Sequence, residues 1–120
     1  MMPPIEQVIY EESMIVARVA FRLRVKPGKL DEYVRIHADV WPELLADMQA
    51  AGYRNYSIFA DGHELFGIFE VDDFAASQGA LAQSDANHRW QAWMTEYLET
   101  PVDPEGKTGM NLMTEVFRMD

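Results

Sequence analysis

A chain of 120 residues, 48% of them hydrophobic, is the size of one domain and can bury one core. Its formal net charge of −10 argues against nucleic acid, whose binding rests on Lys and Arg against phosphates. With no cysteine, disulfides, thiolate metal sites and thiol nucleophiles are excluded.

No apolar run approaches the roughly 20 residues that cross a bilayer. The opening "MMPPIEQVIYEESM" lacks the basic start and apolar middle of a signal peptide, so a cytoplasmic protein without membrane contact is expected. Residues 1–15 show prolines and glutamates but no period. They read as an extension to a single domain over 16–120.

Val16 to Val25 alternates. Val19, Phe21, Leu23 and Val25 share one face and Arg18, Arg22 and Arg24 the other, the period of a strand with one core side. "KPGK" ends it. Leu30, Tyr33, Val34, His37, Trp41, Leu44, Leu45 and Met48 then recur at three and four, an amphipathic helix closed by Gly52. Pro42 donates no hydrogen bond, crowds the carbonyl of Ala38 and biases Trp41 away from helical angles. The spacing therefore predicts two helical pieces, about 28–39 and 42–51, with Pro42 opening the second.

Asp61-Gly62 signals a hairpin between strands at about 53–60 and 64–71. A short helix capped by Asp72 or Asp73 follows. A second, capped by Ser84 or Asp85, carries the stripe Trp90, Trp93, Met94, Tyr97 and Leu98. "PVDPEGKTG" reads as a loop and "MNLMTEVFRM" as a final strand. The order is strand, helix, strand, strand, helix, strand. It predicts an α+β, ferredoxin-like split βαβ fold (βαββαβ) on an antiparallel four-stranded sheet. Helices on one face leave the other uncovered, so a second copy, and hence a homodimer, is expected.

Tyr33, His37 and Trp41 fall at i, i+4 and i+8. An imidazole gives and takes a proton near neutral pH, a phenol adds a hydroxyl, and an indole adds a flat apolar plate. That set suits a small polyhydroxy ligand, although spacing alone equally allows a satisfied core histidine. Asn55, Tyr56 and Ser57 alternate faces of the second strand, so Tyr56 cannot point with both neighbours. Arg18, Arg22 and Arg24 are expected to pair with some of the 20 carboxylates rather than bind an anion. His63 and His88 read as solvated. With the three histidines on separate elements, no metal site is expected. HExxH, glycine-rich phosphate loops and nucleophile elbows do not occur.

"DEYVRIHADVWPEL" resembles the first helix of the L-rhamnose mutarotases, where Tyr, three residues, then His precede Trp-Pro-Glu-Leu. "GYRNYSIFADGHELFGIFEV" resembles their central hairpin, "SDANHRWQAWM" their second helix and "MTEVFRM" their C-terminal strand. The likeness covers about residues 17 to 120. It implies small dimers of the dimeric αβ-barrel type that interconvert α and β pyranose anomers without metal or organic cofactor. By position, His37 matches the family's acid–base histidine, Tyr33 and Tyr56 its substrate-contacting tyrosines, and Trp90 the first of two adjacent pocket tryptophans.

Gln91 stands where the second of those tryptophans would be, and "PVDPEGKTG" replaces an Asn-Pro-Asp-Asn-Ser-Pro loop. Both departures bear on which sugar is taken. An amide exchanges a stacking surface for hydrogen bonds and suits a sugar with another hydroxyl. Through the same resemblance, His37 is expected to protonate the ring oxygen while Tyr33, Tyr56 or a water takes the other proton, a contribution of about 10²–10⁴-fold. Two alternatives share the architecture: a cofactor-independent monooxygenase-like enzyme and a sugar-binding module without turnover. The two tyrosines favour a sugar over a flat polyketide.

Overall fold

The computed structural model describes residues 17–99 and 111–120. The extension, Val16 and the "PVDPEGKTG" loop lie outside the described residues. The elements in chain order are β1 (Ala17–Arg24), α1 (Leu30–His37), α2 (Pro42–Ala50), β2 (Arg54–Asp61), β3 (Glu64–Val71), α3 (Phe74–Leu81), α4 (Asp85–Met94) and β4 (Asn111–Met113). The strands pair antiparallel in the order β2-β3-β1-β4. This is the expected α+β, ferredoxin-like arrangement, with each predicted helix drawn as two pieces. No helix among the described residues is long and apolar enough to cross a membrane.

Register separates the two sheet faces. Val19 lies opposite Phe69, Phe21 opposite Gly67 and Leu23 opposite Leu65, and these meet the helices. Arg18 opposite Glu70 and Arg24 opposite Glu64 fall on the other face. Of the three arginines expected to pair, Arg24 does, with Glu64 and with Glu99 at 3.8 Å, while Arg18 and Arg22 form no ion pair among the described residues. Exposed pairs of this kind contribute about 0–1 kcal/mol. From the helices, Tyr33, Ile36, Leu44, Trp90 and Met94 complete the core.

The break at Pro42 falls where the sequence places it. α1 stops at His37, and Trp41 takes extended angles (φ −54°, ψ 129°) as the N-cap of α2, with Pro42 in its first turn. α1 is short, and an inner face centred on Tyr33 and Ile36 turns Val34 out to solvent; Leu45 of α2 is exposed too. Gly52 closes α2 at φ +97°, a conformation that disfavours any side chain. Asp73 caps α3 and Ser84 caps α4. The Ser84 hydroxyl also donates to Asp47 at 2.6 Å, and Ser77 donates to the Ala51 carbonyl at 2.5 Å, so both later helices are tied to α2.

Two expectations need correcting. The last strand is only Asn111–Met113, paired with Ala20 to Arg22, and Thr114 to Asp120 leaves the sheet. Val116, Phe117 and Met119 are 92%, 78% and 83% exposed, because nothing among the described residues covers them. His88 is not solvated. It is half-buried and its Nε2 donates to the Ala82 carbonyl at 2.7 Å.

Gly67 lies under the Phe21 ring, which occupies the space a Cβ would need. Gly67→Ala is therefore expected to cost about 1–3 kcal/mol by overpacking. A lowered urea midpoint at constant slope checks it; an unchanged midpoint contradicts the overlap.

Candidate active site

A partly enclosed hollow of about 390 Å³ lies between the helices and the core face of the sheet. That is the small end of the range for ligand pockets. Leu23, Phe69 and Phe21 contribute apolar floor, and Leu44, Met48 and Leu81 contribute apolar wall. The polar side chains reaching it are His37 and Tyr33 from α1 and five amides or phenols: Tyr53 just before β2, Tyr56 from β2, Gln78 from α3, and Asn87 and Gln91 from α4.

His37 ends α1. Its Nδ1 lies 2.8 Å from the carbonyl oxygen of Tyr33 one turn back. A carbonyl only accepts, so Nδ1 carries the proton and Nε2 carries the lone pair. Among the described residues, Nε2 has no hydrogen-bond partner. The ring stacks on Tyr33 (centroids 4.1 Å apart) and meets the edge of Trp90 (5.3 Å). Burial holds its pKa below the ordinary imidazole value, against a smaller opposing contribution from the Tyr33 carbonyl. The ring is therefore neutral near neutral pH.

Of the residues singled out in the sequence, Tyr33, His37, Tyr56, Trp90 and Gln91 all line this hollow. Trp41 does not. The helix break swings it behind Trp90 (5.1 Å, perpendicular), where it stacks on Trp93 with planes 7° apart. Both are core buttresses, half-buried, with the Arg89 guanidinium 5.2 Å from the Trp41 ring. Gln91 donates from Nε2 to Asn87 Oδ1 at 3.2 Å.

Three polar lining residues escaped sequence reasoning: Tyr53, Gln78 and Asn87. The Tyr53 hydroxyl donates to Gln78 Oε1 at 2.5 Å. Asn87 donates to the Leu81 carbonyl at 3.3 Å while accepting from Gln91. The only sequence signal for Gln78 and Asn87 is a single amide within a short apolar or capped helix, which ordinarily means nothing.

The three tyrosines all stay protonated. Burial pushes Tyr33 and Tyr53 up to about 12, and raises Tyr56 as well, with the neighbouring Tyr33 and Tyr53 phenols adding to it. Tyr56, on the edge strand β2, is 37% exposed as a residue and lines the hollow. Among the described residues, neither the Tyr33 nor the Tyr56 hydroxyl has a hydrogen-bond partner. Two neutral donors thus line the same hollow as His37.

A family model described as L-rhamnose mutarotase matches residues 18–119. The chain belongs to the L-rhamnose mutarotase family. An L-rhamnose mutarotase from Burkholderia orbicola is 37% identical over 105 residues, covering 85% of this chain and 97% of that one. One from Oceanobacillus iheyensis is 36% identical over 105 residues, covering 86% and 98%. The crystal structure of an L-rhamnose mutarotase from Formosa agariphila superposes with a TM-score of 0.69 at 27% identity, covering 87% of this chain and 99% of that chain. A conserved protein from Methanosarcina mazei, 21% identical with a TM-score of 0.58, shares the fold.

The lowered pKa of His37 has a defined sign. On acidification the unfolded chain takes up this proton first, at about pH 6.5. Stability from the neutral ring is complete above that pH and is lost as pH falls toward the lower native value. An NMR titration of His37 should give a midpoint below 6.5, and His37→Gln should remove this part of the acid loss of stability. A midpoint at or above the ordinary value contradicts the burial.

Proposed function

We propose that this chain is a sugar mutarotase that interconverts the α and β pyranose anomers of L-rhamnose or a related monosaccharide, with His37 as its general acid–base. One observation carries the reading: His37, with Nδ1 engaged and no partner on Nε2 among the described residues, lines a sugar-sized hollow as a neutral imidazole. Family membership supports the reaction class.

Ring opening breaks the bond between the anomeric carbon and the ring oxygen. The anomeric hydroxyl loses its proton and the ring oxygen gains one. The carbonyl carbon then turns its other face to the same oxygen, and closure reverses both transfers. His37 Nε2 takes the proton from the anomeric hydroxyl. Both oxygens are bonded to one carbon, so the imidazolium that forms is positioned to pass the proton to the ring oxygen. Tyr33 and Tyr56 hold their protons too tightly to be the acid. They act instead as neutral donors that hold the oxygens and steady the developing charge. This revises the order expected from the sequence, in which His37 gives its proton first and a tyrosine or water takes the other.

Trp90 presents the apolar wall on which a sugar face stacks. Gln91 and Asn87 form a polar wall where the family carries a second indole. A sugar with a hydroxyl in place of a deoxy methyl satisfies that amide better than an apolar substituent does. The alternative readings draw on the same hollow. A flat aromatic substrate would leave its amides and phenols unpaired, which is unfavourable in a buried site.

Saturation-transfer NMR detects anomer exchange at equilibrium. In a panel of deoxy and ordinary hexoses, at least one sugar should exchange faster with the protein. His37→Asn should remove the acceleration, about 10²–10⁴-fold, while circular dichroism stays unchanged. Unaltered exchange in that variant rejects the role of His37. Tight sugar binding with no acceleration in the native chain points to the binding module.

The functional unit is a homodimer. The uncovered sheet face carries Phe59, 63% exposed, beside Phe66 and Ile68, and the C-terminal Val116, Phe117 and Met119 stand free of their own sheet. A second copy covers both. Light scattering should return twice the chain mass, and Phe117→Ser should weaken association by about 1.5–3 kcal/mol, the burial of one large apolar side chain. A monomer at all concentrations contradicts it.

A further inference from the structure

Tyr53, just before β2, and Tyr56 within it both line the hollow, yet they are three residues apart in an extended run. A regular strand puts such residues on opposite faces. The pairing of β2 with β3 shows how this is avoided. Arg54 lies opposite Glu70 and Ser57 opposite Ile68, so β2 takes three steps (54 to 57) while β3 takes two (70 to 68). One residue is inserted, a β-bulge. It is Asn55, whose φ of +53° makes it the sole non-glycine residue with positive φ among the described residues. Asparagine tolerates that left-handed conformation better than most residues, and β-branched residues resist it.

The inserted residue is also held. Asn55 Nδ2 donates to Glu70 Oε1 at 2.8 Å across the exposed face. On the inner face, Tyr53 stacks on Phe69 (4.4 Å) and Tyr56 packs against Phe69 (5.2 Å) and Tyr53 (6.2 Å). Removing the insertion while keeping the hairpin register from Ser57 onward would turn Tyr53 outward. Keeping Tyr53 inside instead would turn Tyr56 out. Only with the bulge do both phenols share the hollow.

We infer that Asn55, clamped by Glu70, is a positioning residue for the reaction: it sets the bulge that places the Tyr56 hydroxyl beside Tyr53 and within reach of the bound sugar. It touches no substrate itself, since its side chain lies on the opposite sheet face. The inference rests on the reading of Tyr56 as a substrate contact given above.

The test combines anomer-exchange kcat/KM with aromatic nuclear Overhauser contacts between Tyr56 and Phe69, which report placement whether or not a sugar turns over. Asn55→Val should lose those contacts and lower kcat/KM to the level of Tyr56→Phe. The double variant should be no worse than Tyr56→Phe alone, because the two changes remove the same interaction. Should Asn55→Val fail to fold, a hydrogen-bond swap serves instead. Asn55→Asp sets two carboxylates against each other and should lower kcat/KM about tenfold. Adding Glu70→Gln restores a bond of reversed direction and should recover most of that loss together with the ring contacts.

Ring contacts and kcat/KM that survive both Asn55→Val and Asn55→Asp overturn the inference. So does a loss by Asn55→Val that is equally large in the Tyr56→Phe background, the mark of a merely structural effect. If the native chain accelerates no sugar, the mutarotase reading fails on its own, and the ring contacts still decide whether Asn55 places Tyr56.

Discussion

The hydrogen bond between His37 Nδ1 and the carbonyl of Tyr33 is the constraint on which the rest of the site depends. It fixes which nitrogen carries the proton, and so which one is left as a base. It also sets the plane of the ring, parallel enough to Tyr33 to stack and perpendicular to Trp90. Burial then keeps the ring neutral. Without that bond, a histidine at a helix end could present either nitrogen, and the hollow would hold a titratable group with no defined role.

Pro42 explains why such a bond can exist at this place. A continuous helix would carry Trp41 one turn beyond His37 on the same face and put its indole over the imidazole. The proline ends α1 at His37 and starts α2 on a new axis, and Trp41 turns away to stack on Trp93. The indole is thereby left out of the hollow's lining. One residue thus decides both a helix boundary and the shape of a pocket.

Much of this was legible in the sequence, because two periods and a proline are strong physical signals. The alternation in β1, the three-four spacing of α1 and α2, the hairpin and the aromatic stripe of α4 gave the α+β topology, and the helix stripes place Tyr33, His37 and Trp90 on inner faces. Tyr53 was not legible. Alternation assigns it to the face opposite Tyr56, and only the left-handed angle at Asn55 reverses this. A lone asparagine in a strand hints at such an angle but does not fix it. Gln78 and Asn87 were missed because position on a short helix does not say which neighbours surround it. The brevity of β4 was missed for a related reason. Its alternating apolar residues read as strand, but the described residues offer no surface for them to bury against.

The most direct measurement is the nitrogen resonances of His37 in ¹⁵N-labelled protein near neutral pH, with and without a saturating monosaccharide. A neutral ring with its proton on Nδ1 gives one protonated and one lone-pair nitrogen, and the lone-pair signal from Nε2 moves when the sugar binds. A doubly protonated ring, a proton resting on Nε2, or an Nε2 signal indifferent to every sugar contradicts the role proposed for His37.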